Sequence, residues 1–255
     1  MKFKFFLSFL VLLFLLNNWT SIAQDDQLDD LSFESNTLNE ESKPYFGVAG
    51  GYTGTFLFVN FDELNKHIKD MGFSDEFKAP IYLNGGEGFI VTFFVPNLRV
   101  AILGKGGSAL IEKSGAGNPS IEYSVGFTGI ALDYALVPIK SLSLAFIPGV
   151  AVGRGRLTIE AFQGEKYDWK KFSLTNDSLN VLNRIETGFW FFEPKLNIEW
   201  AITDFFMLRL GAGYSLWAGQ EWYYNRNAKL ENVPPGINAN GLTLQVGAFV
   251  GLFNY

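Results

Sequence analysis

Cysteine is absent from all 255 residues, which excludes disulfides, thiolate metal sites, thiol catalysis and a lipoprotein anchor. Histidine occurs once, as His67, so any imidazole chemistry rests on that residue alone. A surplus of positive charge is missing too: 20 Lys and Arg stand against 26 Asp and Glu. Nucleic acid, whose binding depends on neutralising phosphates, is therefore not an expected partner. After residue 16 no apolar run approaches the roughly 20 residues a helix needs to span a bilayer.

The apolar run that does exist has the layout of an export signal. Lys2 and Lys4 are followed by apolar residues 5 to 16 and a polar stretch ending in Ser21-Ile22-Ala23. Small residues at −3 and −1 place cleavage after Ala23. An uncleaved anchor is the alternative, and the run is short for one. Losing Lys2 and Lys4 leaves 18 basic side chains against 26 acidic ones, a net charge of −8. Residues 24 to 43, QDDQLDDLSFESNTLNEESK, hold seven carboxylates and one Lys. Too little apolar surface is present there to drive folding, so this is expected to be a disordered acidic leader.

From residue 44 the composition turns to Gly, aromatic and branched residues in short runs. Overall hydrophobic content is 48%, ordinary for a soluble protein, but strands that alternate lipid-facing and lumen-facing residues need no more than this. Eight strands are expected, at about 45–58, 80–94, 98–111, 120–136, 140–158, 188–202, 205–221 and 241–255. Their connections alternate in length. Val95-Pro96-Asn97, Val137-Pro138-Ile139 and Thr203-Asp204 are short turns; 59–79, 112–119, 159–187 and 222–240 are loops. Short turns at one end, long loops at the other and an even strand count are the pattern of an antiparallel up-and-down transmembrane β-barrel, with both termini on the periplasmic side.

The pleat is clearest on the sixth strand, where Phe192, Pro194, Leu196, Ile198, Trp200 and Ile202 share one face and Glu193, Lys195, Asn197 and Glu199 the other. The seventh places Leu208, Leu210, Ala212, Tyr214 and Leu216 opposite Arg209, Gly211, Gly213 and Ser215. Small residues on the inner wall suit a narrow lumen crossed by a few long charges, and Arg209 should pair with Glu193 or Glu199 in a network that includes Lys195. Aromatics gather near strand ends: Phe189-Trp190-Phe191-Phe192 and Trp222-Tyr223-Tyr224 at the outer edge, Tyr45, Phe93-Phe94, Tyr134, Trp200, Phe205-Phe206 and Tyr255 at the periplasmic edge. A soluble sandwich or lipocalin-like barrel has no reason for two such girdles. Glu87 breaks the pattern by sharing a face with Phe89, Val91 and Phe93; a bulge in Gly85-Gly86-Glu87-Gly88 would turn it to the lumen. The last strand is apolar on both faces, so its lipid side is open at this point.

On this topology, these girdles and the terminal Phe253 and Tyr255, residues 44–255 resemble the small eight-stranded Gram-negative outer-membrane barrels, the class of outer membrane proteins A, X and W. The resemblance implies outer-membrane lipid as surroundings and a terminal aromatic strand, with Phe253 and Tyr255, that the barrel-insertion machinery reads. The likeness to outer membrane protein W implies a passive conduit for a small or hydrophobic compound; the lack of a catalytic constellation favours instead a non-enzymatic barrel, structural or interaction-based, with an unknown external ligand.

Two local features add to this. In the first loop Asn60 and Glu63 form a capping-box pattern, Phe61, Leu64, Ile68 and Met71 repeat at helical spacing, and Gly72 can end the helix. The stripe would pack on neighbouring loops, including Tyr167-Asp168-Trp169-Lys170-Lys171-Phe172, or serve as a lid over the external mouth or a plug within it. Pro148 and Pro194 lie at similar heights on adjacent strands, where each removes a ladder donor; local bulges, or a weakened seam, are the expected consequence.

Catalytic and cofactor patterns are not found. His67 has Lys66 and Asp70 nearby but no Ser-His-carboxylate spacing, which speaks against a rim enzyme acting on lipid. Gly104, Gly106 and Gly107 lack the phosphate-loop pattern, and the runs at Asp25 and Asp29 lack calcium-loop spacing. No cofactor or metal is expected. N-terminal sequencing of the mature protein should begin at Gln24, in the outer-membrane fraction, with a band that shifts on boiling; recovery from the soluble periplasm would end this reading.

Overall fold

The computed structural model describes residues 46–113, 119–136, 144–164 and 181–254. The export signal, the acidic leader, Tyr45, the Val137-Pro138-Ile139 turn, the 167–172 run and Tyr255 lie outside the described residues. Nine strands are present among them: β1 (Phe46–Val59), β2 (Ile81–Val91), β3 (Leu98–Glu112), β4 (Ser120–Tyr134), β5 (Leu144–Gln163), β6 (Val181–Thr203), β7 (Phe206–Tyr224), β8 (Ala228–Leu230) and β9 (Gly241–Asn254). A helix, α1 (Asp62–Asp70), follows β1. From β1 to β7 each long strand pairs antiparallel with the next, and β9 pairs with both β7 and β1. The short β8 only extends β7 at Trp222 to Tyr224. The result is a closed eight-stranded up-and-down barrel, whose wall has no free edge.

Side-chain alternation is inside-out relative to a soluble barrel. On β9, Leu242, Leu244, Val246, Val250 and Leu252 point outward and are 41–66% exposed, while Thr243 and Phe249 point inward and are buried. This settles the strand whose two faces look alike in sequence. The predicted outward rows of β6 and β7 hold as well, with Leu196, Trp200, Leu210, Tyr214 and Leu216 exposed. Exposed apolar side chains on this scale, around a charged interior, suit hydrocarbon and not water.

Several expectations change. Glu87 faces the lumen without a bulge, since the registers Gly51↔Glu87 and Glu87↔Leu103 lie within unbroken ladders. Phe89 and Val91 face the lumen beside it, so the inner face of β2 is mixed in polarity. Phe189 and Phe191 also turn inward, leaving Trp190 outermost at that edge, whereas Phe93, Phe94, Tyr134, Trp200 and Phe205 are exposed at the turn end. β5 and β6 continue their ladder to Gln163↔Val181, well past the expected ends. There Arg184 bridges Glu160 at 3.4 Å and Glu186 at 2.7 Å, a polar pairing that keeps the hairpin zipped beyond the apolar band.

The proline seam between β5 and β6 is also corrected. Pro148↔Leu196 and Val150↔Pro194 sit in one continuous register without a bulge. Successive N–H groups of an antiparallel strand point to alternate neighbours, so each proline interrupts one flank only. For Pro148 that flank is β4, whose pairing stops at Asp133↔Gly149. For Pro194 it is β7: the ladder runs from Phe192↔Leu216 to Lys195↔Gly213 with no pair at Glu193 or Pro194.

The inner wall is tight enough to dictate glycine. A Cβ on Gly155 would stand 2.1 Å from Phe189 Cζ and 2.6 Å from the Gly126 carbonyl oxygen, whereas nothing lies within 4 Å of one on Gly50. Gly155→Val should therefore abolish the folded, heat-shifted band, and Gly50→Ala should leave urea stability within about 0.5 kcal/mol of wild type.

Candidate functional site

The lumen is filled by its own ions. At the centre Glu199 on β6 accepts from Arg99 Nη1 at 2.7 Å, Arg99 Nη2 at 2.8 Å and Arg209 Nε at 2.7 Å. Arg209 reaches on to Glu87, with Nη1 donating to Oε1 at 2.6 Å. Asp133 accepts from Arg99 Nη2 at 3.4 Å and stands 3.2 Å from Lys195 Nζ, whose other neighbour is Glu87 at 3.7 Å. Next along the axis Lys105 Nζ donates to both oxygens of Glu193 at 2.9 and 2.8 Å, and Thr243 Oγ1 adds a bond at 3.1 Å. Four cations thus face four carboxylates, drawn from five strands. Every one is buried or nearly so, and a charge without its partner would be costly there.

Aromatic rings fill the space around the ions. Arg99 lies 4.4 Å from the Phe89 ring centroid and Arg209 4.2 Å from that of Phe249, so the guanidinium faces not used in hydrogen bonds rest on π systems. On the loop side of Lys105, Phe127 meets Phe189 and Phe191 edge-on, at 5.4 and 5.3 Å, and Phe189 stacks on Trp217 at 4.2 Å. One cavity between the ions, bounded by Thr53, Glu87, Lys105, Glu193 and Lys195, measures about 10 Å³. That is at the limit for one water molecule.

Helix α1 packs against the inner wall at the loop end. Asn60 Oδ1 accepts the Asp62 N–H at 2.7 Å. The helix stops in a Schellman turn: Phe73 N–H bonds to Ile68 O, Gly72 N–H to Lys69 O, and Gly72 takes φ +82°. Phe61, Leu64 and Ile68 are buried in one cluster with Phe73, Phe77 and the lumen-facing Leu57, Tyr123 and Leu157. Phe61 meets Tyr123 edge-on at 5.1 Å. Met71 departs from the expected stripe, being 44% exposed beyond the last helical turn. The loop before β9 forms the second wall, with Tyr123 Oη donating to Asn238 O at 3.0 Å. On the outer side Lys69 pairs with Glu76 and holds that carboxyl below the usual range.

No family model and no curated protein matches the sequence. Among solved structures the chain is similar to Ail, the attachment invasion locus protein of Yersinia pestis, in its complex with the heparin analogue sucrose octasulfate; identity is 9%, coverage 82% of this chain and 99% of that one, and the TM-score 0.43. It is similar also to a major outer membrane protein from Thermus thermophilus, at 10% identity over 81% of this chain and 99% of that one, with a TM-score of 0.45. Neisserial surface protein A is a third, at 11% identity, 81% and 96% coverage and a TM-score of 0.39.

The structure brings Glu193, Lys195, Glu199 and Arg209 into one lumen, though Glu193 pairs with Lys105 and not with Arg209. Sequence reasoning missed Arg99, Lys105 and Asp133. Their signal was parity: Arg99 and Lys105 are even-spaced on one strand, and Asp133 lies level with Arg99 in the β3–β4 register. His67 is exposed on α1 and its imidazole makes no hydrogen bond among the described residues. Phe253 turns inward toward Phe89, with 6.4 Å between ring centroids. Arg209→Leu leaves Glu87 with Lys195 at 3.7 Å and strips one bond from Glu199; urea unfolding in detergent should show a loss of about 3–5 kcal/mol, against under about 1 kcal/mol for breaking an exposed pair.

Proposed function

We propose that the protein is a non-enzymatic barrel of the Gram-negative outer membrane, structural or surface-interacting, with both termini periplasmic and an occluded lumen. The observation that carries this reading is the layer of four cations paired with four buried carboxylates, with a cavity of only about 10 Å³ among them. A conduit needs a path that solutes can enter and leave, and here the path is crossed by ion pairs, aromatic layers and a packed helix. The work then falls to the loop end, where α1, the β5–β6 extension and the 231–240 loop make the exposed surface. The terminal strand, with Phe253 and Tyr255, would serve the barrel-insertion machinery, and outer-membrane lipid surrounds the outward rows. A passive channel for small or hydrophobic compounds gains no support from the lumen, and a rim enzyme gains none from His67.

Single-channel recording tests this directly. The purified wild-type barrel should give no discrete conductance steps in a planar bilayer, and removal of residues 62–70 should give none either, because the ionic layers below the helix still block the axis. Reproducible steps from the wild-type protein would overturn the occluded reading.

A further inference from the structure

A barrel wall in lipid is tiled with large apolar side chains, and the outward rows of β6, β7 and β9 follow that rule. One patch across β2 to β6 does not. In register, Gly86 meets Gly104, Gly104 meets Thr128 and Thr128 meets Arg154. One step nearer the loops, Gly106 meets Gly126, Gly126 meets Arg156 and Arg156 meets Gly188. All these positions share the outward parity, and together they leave an open trough of about 700 Å³ floored by bare backbone.

The barrel does not need those glycines. A Cβ on Gly104 would have Phe127 O as its nearest neighbour at 4.0 Å, and one on Gly126 Lys105 O at 3.9 Å, both ordinary contacts. The inward Gly107 is different, since a Cβ there would stand 2.1 Å from Tyr82 O. Packing therefore accounts for the inward Gly107 and leaves Gly104 and Gly126 of the outer floor without an internal cause.

The two arginines are equally unexplained by the wall itself. Two other outward charges have partners: Arg184 is paired with Glu160 and Glu186, and Glu122 accepts a hydrogen bond from Ser124. Arg154 rests on the Trp190 ring at 4.4 Å, and neither Arg154 nor Arg156 has a salt bridge or side-chain hydrogen bond among the described residues. Their height is informative. Arg154 is ten residues along β5 from Leu144; at about 3.3 Å per residue and a tilt of about 40° that is about 25 Å, the thickness of the apolar band. An arginine on the lipid face is costly at the midplane and tolerated at that boundary. Headgroups begin there.

We infer that this trough holds the phosphate-bearing headgroup of a membrane lipid of the leaflet at the loop end, with Arg154 and Arg156 on the phosphate and the glycine floor admitting the lipid backbone close to the wall. Guanidinium forks match phosphate oxygens, and partial burial among lipid strengthens the bonds. The inference rests on the membrane reading above.

The full chain folded in a neutral detergent is titrated with dioleoylphosphatidic acid, with dioleoylglycerol (same tails, no phosphate) and with inorganic phosphate (no tails), and bound lipid is counted by native mass spectrometry. Dioleoylphosphatidic acid should be retained at one per barrel, and R154Q/R156Q should weaken it by about tenfold or more. Gly104→Leu with Gly126→Leu, which fills the trough and keeps both arginines, should weaken it similarly; if that variant does not fold, the arginine pair decides. Equal retention of dioleoylglycerol, displacement by inorganic phosphate at matching concentration, or undiminished binding by R154Q/R156Q would overturn the site while leaving a folded, heat-shifted barrel. Absence of that heat-shifted band in detergent would overturn the membrane reading, and the site with it.

Discussion

Arg209 is buried at the centre of the lumen. Its guanidinium lies between Glu199 and Glu87, over the face of Phe249, inside a wall closed by the β9–β1 pairing. An eight-stranded barrel leaves an interior just wide enough for side chains, so any charge placed there must find its counter-ion inside. The neutral set of four cations and four carboxylates is the consequence of that constraint. It also links strands far apart in sequence, since Arg99 and Glu199, or Glu87 and Arg209, are separated by 100 and 122 residues. The network thus fixes which side chains enter the lumen and at which level, and a one-residue slip of any contributing strand would expel its charge to the outer face.

Everything else is arranged around this filling. Large inward rings oblige their register partners on the next strand to be small, as Gly155 is beside Phe189. Above the rings the inner wall becomes apolar, with Leu57, Tyr123 and Leu157, and this is the surface on which the stripe of α1 is buried. The outer wall, relieved of the polar load, is apolar wherever hydrocarbon would meet it. Its exception is the arginine-bearing trough, which stands at the boundary and not within the band.

How much of this could be read from the chain varies with the strand. On β6 the alternation is strict, so Glu193, Lys195 and Glu199 announce an inner face, and β7 does the same for Arg209. On β3 both faces are apolar near Arg99, which shares its face with Ala101 and Leu103, and only the matching parity of Lys105, six residues on, marks that row as the inner one. Glu87 was obscured by the same cause, because Phe89 and Val91 enter the lumen with it. A narrow lumen buries rings as readily as ions, and polarity alone then fails to separate inside from outside. The helix was legible through its spacing, but Met71 falls outside the buried stripe because the chain leaves the helix at Gly72. The proline pair could not be judged from height, since the flank that each interrupts depends on hydrogen-bond parity along the strand. The trough was missed because glycine carries no polarity signal; only the register shows Gly104, Gly126 and Arg156 as neighbours.

A sealed, ion-filled lumen inside a wall whose outer face meets lipid dictates what each residue of β9 touches. Spin labels placed one at a time from residue 242 to residue 253 on β9, with collision rates to oxygen dissolved in lipid and to a water-soluble nickel chelate, test both halves together. Even-numbered positions should be open to oxygen and closed to nickel, and odd-numbered ones closed to both. Nickel access at odd-numbered positions in the middle of the strand, or no alternation at all, would contradict it.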